Sequence, residues 1–174
     1  MDQTDFTSNI DEQQPSVVHF DKSKRPKVGL GVIILNELNE ILVSQRITPN
    51  SAGDGQFGLP GGHLEFGETF QECAQREIEE ETSLKLDQEA IKYVATVNAF
   101  DKVKGYHDID IYMGILVWKE QCQFKNMEPH NQTDWQWVKW EDFVNIDNLF
   151  YSFREFFAMG FKDLENIKQI LQKE

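Results

Sequence analysis

The sequence predicts an α/β fold, with a mixed sheet covered by helices inside one domain. Three observations predict it. Runs rich in β-branched residues alternate with helical patterns. Some of those runs are joined by short turn-like links, which make antiparallel neighbours. The chain has 174 residues with no internal repeat, the size of a single domain. A domain of this size buries roughly 70% of the surface its unfolded chain exposes, so it needs no covalent staples. Cys73 and Cys122 are too few for a disulfide framework, which favours a reducing, cytoplasmic setting. No apolar run approaches the ~20 residues of a membrane span. Lys and Arg number 17 against 30 Asp and Glu, a net charge of −13. That charge argues against binding a bare nucleic-acid backbone.

Taken in order, residues 1–26 are polar, aperiodic and closed by Pro26, and read as a disordered leader. Residues 27–174 then form the single domain, with helices at its C-terminal end. The cluster Lys22, Lys24, Arg25 and Lys27 reads as solvated charge. Residues 28–36 (VGLGVIILN) read as a buried strand and 41–46 (ILVSQR) as its hairpin partner. Residues 48–68 form a loop carrying Gly53, Gly55, Gly58, Gly61, Gly62 and Gly67. A loop of that length within a compact domain points to function. Residues 69–82 predict a helix: Thr69 is a good N-cap and Glu72 completes a capping box. Residues 90–100, 107–118 and 135–140 predict further strands. Asp147 is expected to cap a helix through Phe157, and residues 162–172 a last amphipathic helix.

The helix over 69–82 carries an electrostatic problem. Between Glu65 and Glu81 stand seven glutamates and one basic residue, Arg76. At about 100° per residue, Phe70, Cys73, Ala74 and Ile78 make an apolar stripe, and Glu77 and Glu81 fall within it. Glu80 flanks the stripe, while Glu72, Gln75 and Glu79 point away. Glu77 and Glu81, four residues apart, repel each other near the negative end of the helix dipole. A solvated charged face explains Glu72 and Glu79 but not Glu77 and Glu81. Burying an unpaired carboxylate costs several kcal/mol. Protonation, a paired cation or a metal ion can relieve that cost, and oxygen-only ligands select Mg²⁺ or Mn²⁺.

Gly62, Glu68, Arg76, Glu77, Ile78, Glu80, Glu81 and Leu84 match the Nudix box, G-x₅-E-x₇-R-E-U-x-E-E-x-G-U, at eight of nine defined positions. The departure is Ser83, where the pattern has Gly for a left-handed residue after the helix. The chain therefore resembles the Nudix family. With GLPGGHLEFGE, VNAF, NMEP, WQWVKWED and DNLF it is similar to the MutT-like nucleoside-triphosphate diphosphatases over roughly residues 27–160. The resemblance implies an α/β/α sandwich around a mixed sheet, and hydrolysis of a nucleoside-linked diphosphate with Mg²⁺, Mn²⁺ being the other ion such ligands accept. It implies Glu77, Glu81 and Glu80 as metal ligands, with Glu80 as ligand or water-activating base and the Gly62 carbonyl as a further ligand. It also implies Arg76 as the residue orienting the glutamates, Glu68 as support for the metal shell, and Glu128 as a further acid behind it.

For the substrate, the resemblance implies a phosphate contact at Arg46 and at the Gly61, Gly62 and His63 turn; a solvated strand end and a loop-ordering role are the plainer readings of Arg46 and His63. Phe150 and Tyr151 are expected to wall a base pocket, stacking that tolerates several bases and predicts a broad range. Asp110, in an otherwise apolar strand, is a candidate to bind a base edge or else an outward-facing residue. Cys73 and Trp135, Trp137 and Trp140 read as packing. The expected reaction gives nucleoside monophosphate and pyrophosphate, from ordinary, oxidised or modified triphosphates. The alternatives are another nucleoside diphosphate compound (a dinucleotide, a nucleotide sugar or an mRNA cap) and a non-catalytic nucleotide-binding scaffold. The resemblance also allows a homodimer.

Overall fold

In the computed structural model the described residues are 23–101 and 103–173. Residues 1–22 of the expected leader lie outside them. Among the described residues seven strands form one sheet, in the order β3-β2-β1-β6-β5, with β4 added to β1 and β7 to β2. The strands are β1 (Lys27–Asn36), β2 (Glu40–Gln45), β3 (Phe57–Gly58), β4 (Gly61–His63), β5 (Lys92–Asp101), β6 (Tyr106–Val117) and β7 (Gln136–Lys139). β1 runs parallel to β6, from Lys27↔Asp108 to Asn36↔Val117. β2 and β4 are antiparallel to β1, and β5 to β6. The sheet is mixed, as expected.

Alternation along β1 builds two cores. Leu30, Val32 and Ile34 face helix α1 (Phe70–Thr82) and pack with its Cys73, Ala74 and Ile78. Ile33 and Leu35 face the other way, with Tyr112, Phe143, Phe153, Phe156, Ile167 and Leu171. Those residues bring in the C-terminal helices α2 (Trp140–Phe143), α3 (Phe153–Phe156) and α4 (Leu164–Leu171). The result is helix, sheet and helix in layers.

Helix α1 starts as its sequence dictates. Thr69 Oγ1 accepts from the Glu72 N–H at 3.2 Å, and Glu72 Oε2 accepts from the Thr69 N–H at 2.8 Å. It ends on Ser83 at φ 59°, ψ 7°, the left-handed conformation for which the family pattern uses glycine.

Three expectations need correction. Asp147 caps no helix. The Phe57 N–H donates to the Asn148 carbonyl and the Phe150 N–H to the Phe57 carbonyl, both at 2.8 Å, so β3 holds this segment in a bridge. Helix starts only at Phe153 and widens into a π-turn over Phe157–Phe161. Trp140 opens α2 instead of closing β7, and its indole N–H donates to the Lys162 carbonyl at 3.0 Å. The last helix is shorter, Leu164–Leu171, because Asp163 caps it by accepting from the Glu165 N–H.

The sheet parts between two of its central strands. β1 and β2 touch only near their hairpin, at Leu35↔Ile41, and then part. β4 fills the gap along Gly29–Gly31 of β1, and β3 fills it along Ser44–Gln45 of β2. The glycine-rich loop supplies both short strands. Where β1 and β2 diverge, a cleft opens.

Candidate active site

The cleft has a volume of about 440 Å³ and is lined by β1, β2, β4, β6 and the start of α3. Its lining holds two kinds of group. Glu81, Glu128, Gly61 and Arg46 interact with one another, as do Asp108, Asp110 and Ser152, and Gly29 lies between Asp110 and the Gly62 carbonyl.

Of the predicted metal-binding acids Glu81 alone lines the cleft, and Arg76, Glu77 and Glu80 do not. Beside the cleft Arg76 is the hub of the glutamates. Its Nε and Nη2 donate to Glu68 at 2.6 and 3.0 Å, and its Nη1 donates to Glu77 at 2.7 Å and to Glu80 at 3.1 Å. Nη2 also donates to the His63 carbonyl at 3.2 Å, which ties helix to loop. The guanidinium holds the Glu68 carboxyl at about 2, well below the usual carboxylate range. Glu68 thus anchors Arg76. Glu80 is the most open of these acids, its side chain 58% exposed.

Glu77 and Glu81 turn inward, as the helical wheel requires. Burial raises the Glu77 carboxyl against the pull of Arg76. Glu81 Oε2 accepts from the Gly61 N–H at 3.0 Å, yet burial still pushes its carboxyl up to about 8, with Glu77 and Glu128 adding repulsion. Glu128 comes close because the end of α1 offers bare carbonyls. The Lys125 N–H donates to the Thr82 carbonyl, and the Met127 N–H and Trp135 indole donate to the Glu81 carbonyl. Gly62 leaves the room that Glu77 occupies, since a Cβ there would lie 2.6 Å from Glu77 Cδ.

The donor set is oxygen-only and over-rich in negative charge, which fits a hard dication in chemistry. As they stand, the groups do not converge. Among the described residues no three His, Cys, Asp or Glu groups sit close enough to hold an ion. Glu77 and Glu80 would have to leave Arg76 to do so.

Arg46, Gly61, Gly62, His63, Phe150 and Asp110 all line the cleft. Arg46 donates to Ser51 at 3.1 Å and exerts a favourable field on Glu81. Tyr151 is not part of the lining: its hydroxyl donates to Asp108, and its ring tilts against Phe150 at 4.5 Å. The sequence reading missed Asp108, Ser152, Ser44 and Gln132. Ser152 follows Phe150 and Tyr151 directly, and Asp108 repeats Asp110 at the strand period, so both carried a signal. Gln132 did not: it joins the cleft through a bridge to Arg46 and accepts from Ser44 Oγ at 3.1 Å. Cys73 is buried in the core, and burial pushes its thiol up to about 12.

The chain is similar to known proteins in sequence and in fold. The chain is 29% identical to an RNA pyrophosphohydrolase of Pelagibacter ubique, over 82% of this chain and 92% of that one. It is 35% identical to the nucleoside triphosphatase NudI of an Enterobacter species, over 55% of this chain and 67% of the relative. The chain spans only 41% and 44% of two Arabidopsis thaliana Nudix hydrolases that it also matches. Among solved structures, a MutT protein from Methanosarcina mazei superposes with a TM-score of 0.64 at 25% identity, covering 80% of this chain and 95% of that one. Among the described residues no helix is long and apolar enough to cross a membrane. The NUDIX domain model matches residues 25–159, most of the chain, and with the box on α1 and the MutT-like layered fold beneath it, this chain belongs to the Nudix hydrolase family.

Proposed function

We propose that the chain hydrolyses nucleoside triphosphates to nucleoside monophosphate and pyrophosphate, with Mg²⁺ as the working ion and Mn²⁺ as an alternative. One observation carries the reading: a single cleft is lined both by the acids Glu81 and Glu128 with Arg46 and by Phe150, Asp110 and Ser152. A nucleotide would lie in it with its phosphates toward Glu81 and Arg46 and its base toward Phe150. In this reading Glu77, Glu81 and Glu80, with the Gly62 carbonyl, would hold the ion. When bound, the ion supplies polarisation of the phosphoryl oxygens and a more acidic water.

The chain's own groups do the rest. Arg76 fixes the direction of the glutamates, and Arg46 meets a phosphate oxygen as a point of positive charge in an acidic wall. Glu80, the most open carboxylate, is placed to accept a proton from water. Gly61 and His63 bound the phosphate end, and Phe150 the base end. The free cysteines suit a cytoplasmic enzyme.

The relative from Pelagibacter ubique favours a second reading, hydrolysis at the 5′-triphosphate end of RNA. One panel separates the two. Pyrophosphate release is followed with GTP, dGTP, dCTP and dTTP in Mg²⁺, beside a 5′-triphosphorylated RNA, ADP-ribose and a capped RNA. Turnover of free triphosphates is the expected result; a profile dominated by RNA ends, caps or ADP-ribose replaces it. Glu81→Gln should abolish turnover with stability unchanged or raised, because Gln still accepts from the Gly61 N–H. An active Glu81→Gln enzyme refutes the ligand assignment.

A further inference from the structure

The cleft is lined by a buried carboxylate whose hydrogen bonding is incomplete. Asp110 lies in β6 between Ile109 and Ile111 and is only 8% exposed. Its register partner on β1 is Gly29. A Cβ on Gly29 would collide with Asp110 Oδ1, so that glycine leaves room for the acid. Both residues line the cleft. Asp110 Oδ2 is buried without a hydrogen-bond partner. An orphaned buried acceptor of this kind calls for an explanation.

Burial lifts the Asp110 carboxyl to about 6 against the pull of Ser152, so near neutral pH it is ionised and accepts. The buried Tyr112 hydroxyl and Ser152 Oγ are 2.8 Å apart. With Tyr112 donating, the Ser152 proton is free for the Asp110 side, and Ser152 favours the ionised carboxylate. Asp108, two residues earlier, is already engaged by the Tyr151 hydroxyl. Asp110 is therefore the open acid of the pair.

An ionised carboxylate only accepts hydrogen bonds. A base lying against Phe150 and meeting Asp110 with its edge must offer N–H donors there. Guanine does so with two adjacent donors, the ring N1–H and the exocyclic 2-amino group. Adenine and cytosine set a ring-nitrogen acceptor beside their amino group. Uracil and thymine flank their N–H with carbonyls. Each of those acceptors would face a buried negative charge, a mismatch that a polar site rejects more strongly than an apolar one.

We propose that Asp110 reads the donor edge of a guanine-type base, and that the chain prefers guanine nucleotides. This rests on the nucleotide reading above and replaces the broad base range expected from stacking alone. The test compares GTP, ITP, ATP and CTP turnover in Mg²⁺, for the wild type and for Asp110→Asn. ITP differs from GTP only by the 2-amino donor. Loss of one charge-assisted hydrogen bond predicts roughly a 10- to 100-fold drop in kcat/KM from GTP to ITP. Asp110→Asn, which offers both a donor and an acceptor, should close the GTP–ITP gap and raise ATP relative to GTP. Equal rates for GTP and ITP in the wild type, or an unchanged gap in the variant, overturn the proposal.

Calorimetric binding of GMP and IMP reads the same contact without catalysis. If no triphosphate is hydrolysed, the proposed reaction fails, and GMP binding tighter than IMP still supports the role of Asp110. Equal binding of the two monophosphates, or no binding of either, overturns it. Should Asp110→Asn fail to fold, the wild-type GTP/ITP and GMP/IMP ratios decide alone.

Discussion

Asp110→Asn should change stability in a way that depends on pH, and the dependence follows from the structure. Burial lifts the Asp110 carboxyl from its ordinary 3.8 to about 6; Ser152 pulls the other way and Asp108 adds repulsion. The native state therefore holds that proton more tightly than the unfolded chain does. The stability tied to the protonated form is fully present below 3.8 and is lost as pH rises through about 6. At about 1.4 kcal/mol per pKa unit the full loss is about 3 kcal/mol. An amide at this position carries no charge at any pH, so the variant escapes the loss. Its stability relative to wild type should rise by about 2 kcal/mol between roughly pH 4.5 and 8. Any fixed cost of burying the amide shifts the whole curve without changing its slope. Urea unfolding of both proteins across that range measures the difference. A constant offset between them, or a variant that loses ground toward pH 8, refutes a desolvated Asp110.

Three further substitutions test the acidic helix. Ser83→Gly relieves the left-handed serine at φ 59° and should stabilise by about 1 kcal/mol, a rise in Tm of about 2–4 °C. Thr69→Ala removes one half of the capping box and should cost about 1 kcal/mol, read by the same thermal scan. Gly62→Ala puts a Cβ against the Glu77 carboxylate, whose flexible end can swing away. The variant should keep its circular dichroism spectrum and lose at least ~10-fold in turnover; wild-type turnover would separate Glu77 from the reaction.

The parts of this molecule that were legible in its sequence are those governed by local physics. Apolar, β-branched runs found β1 and β6, which are buried on both faces over most of their length, and β5, which alternates because it lies at the sheet's edge. The capping box found the start of α1, since Thr69 and Glu72 satisfy each other within one turn. The wheel found Glu77 and Glu81 on the inner face. Other features depend on distant partners. Residues 147–152 carry a cap-like Asp147 and aromatics at helical spacing, but β3 holds their backbone through Phe57. β3 and β4 are too short to show a period, and they exist because β1 and β2 diverge. Gln132 entered the cleft unannounced because its place comes from a bridge to Arg46 across the fold.

The cleft and the helix beside it share a physical logic. Both hold carboxylates that burial penalises, Glu81 and Asp110 in the cleft and Glu77 beside it. The apolar layers close over Ile33, Leu35 and Ile41 on one face and Val32, Ile34 and Leu42 on the other, and the first of them lends Tyr112 and Phe153 to the cleft wall. The acids lie instead along the seam where β1 leaves β2, where Gly29 and Gly62 stand in for side chains that would fill the space. A sheet stabilised on both faces can carry such a seam, because burial of two apolar layers outweighs a few strained acids. The same reasoning separates structural from functional charge here. Glu40, at the start of β2 and paired with Lys119 beyond the end of β6, has its carboxyl lowered, as a stabilising ion pair does. Glu77, Glu81 and Asp110 have theirs raised, which stability alone would select against.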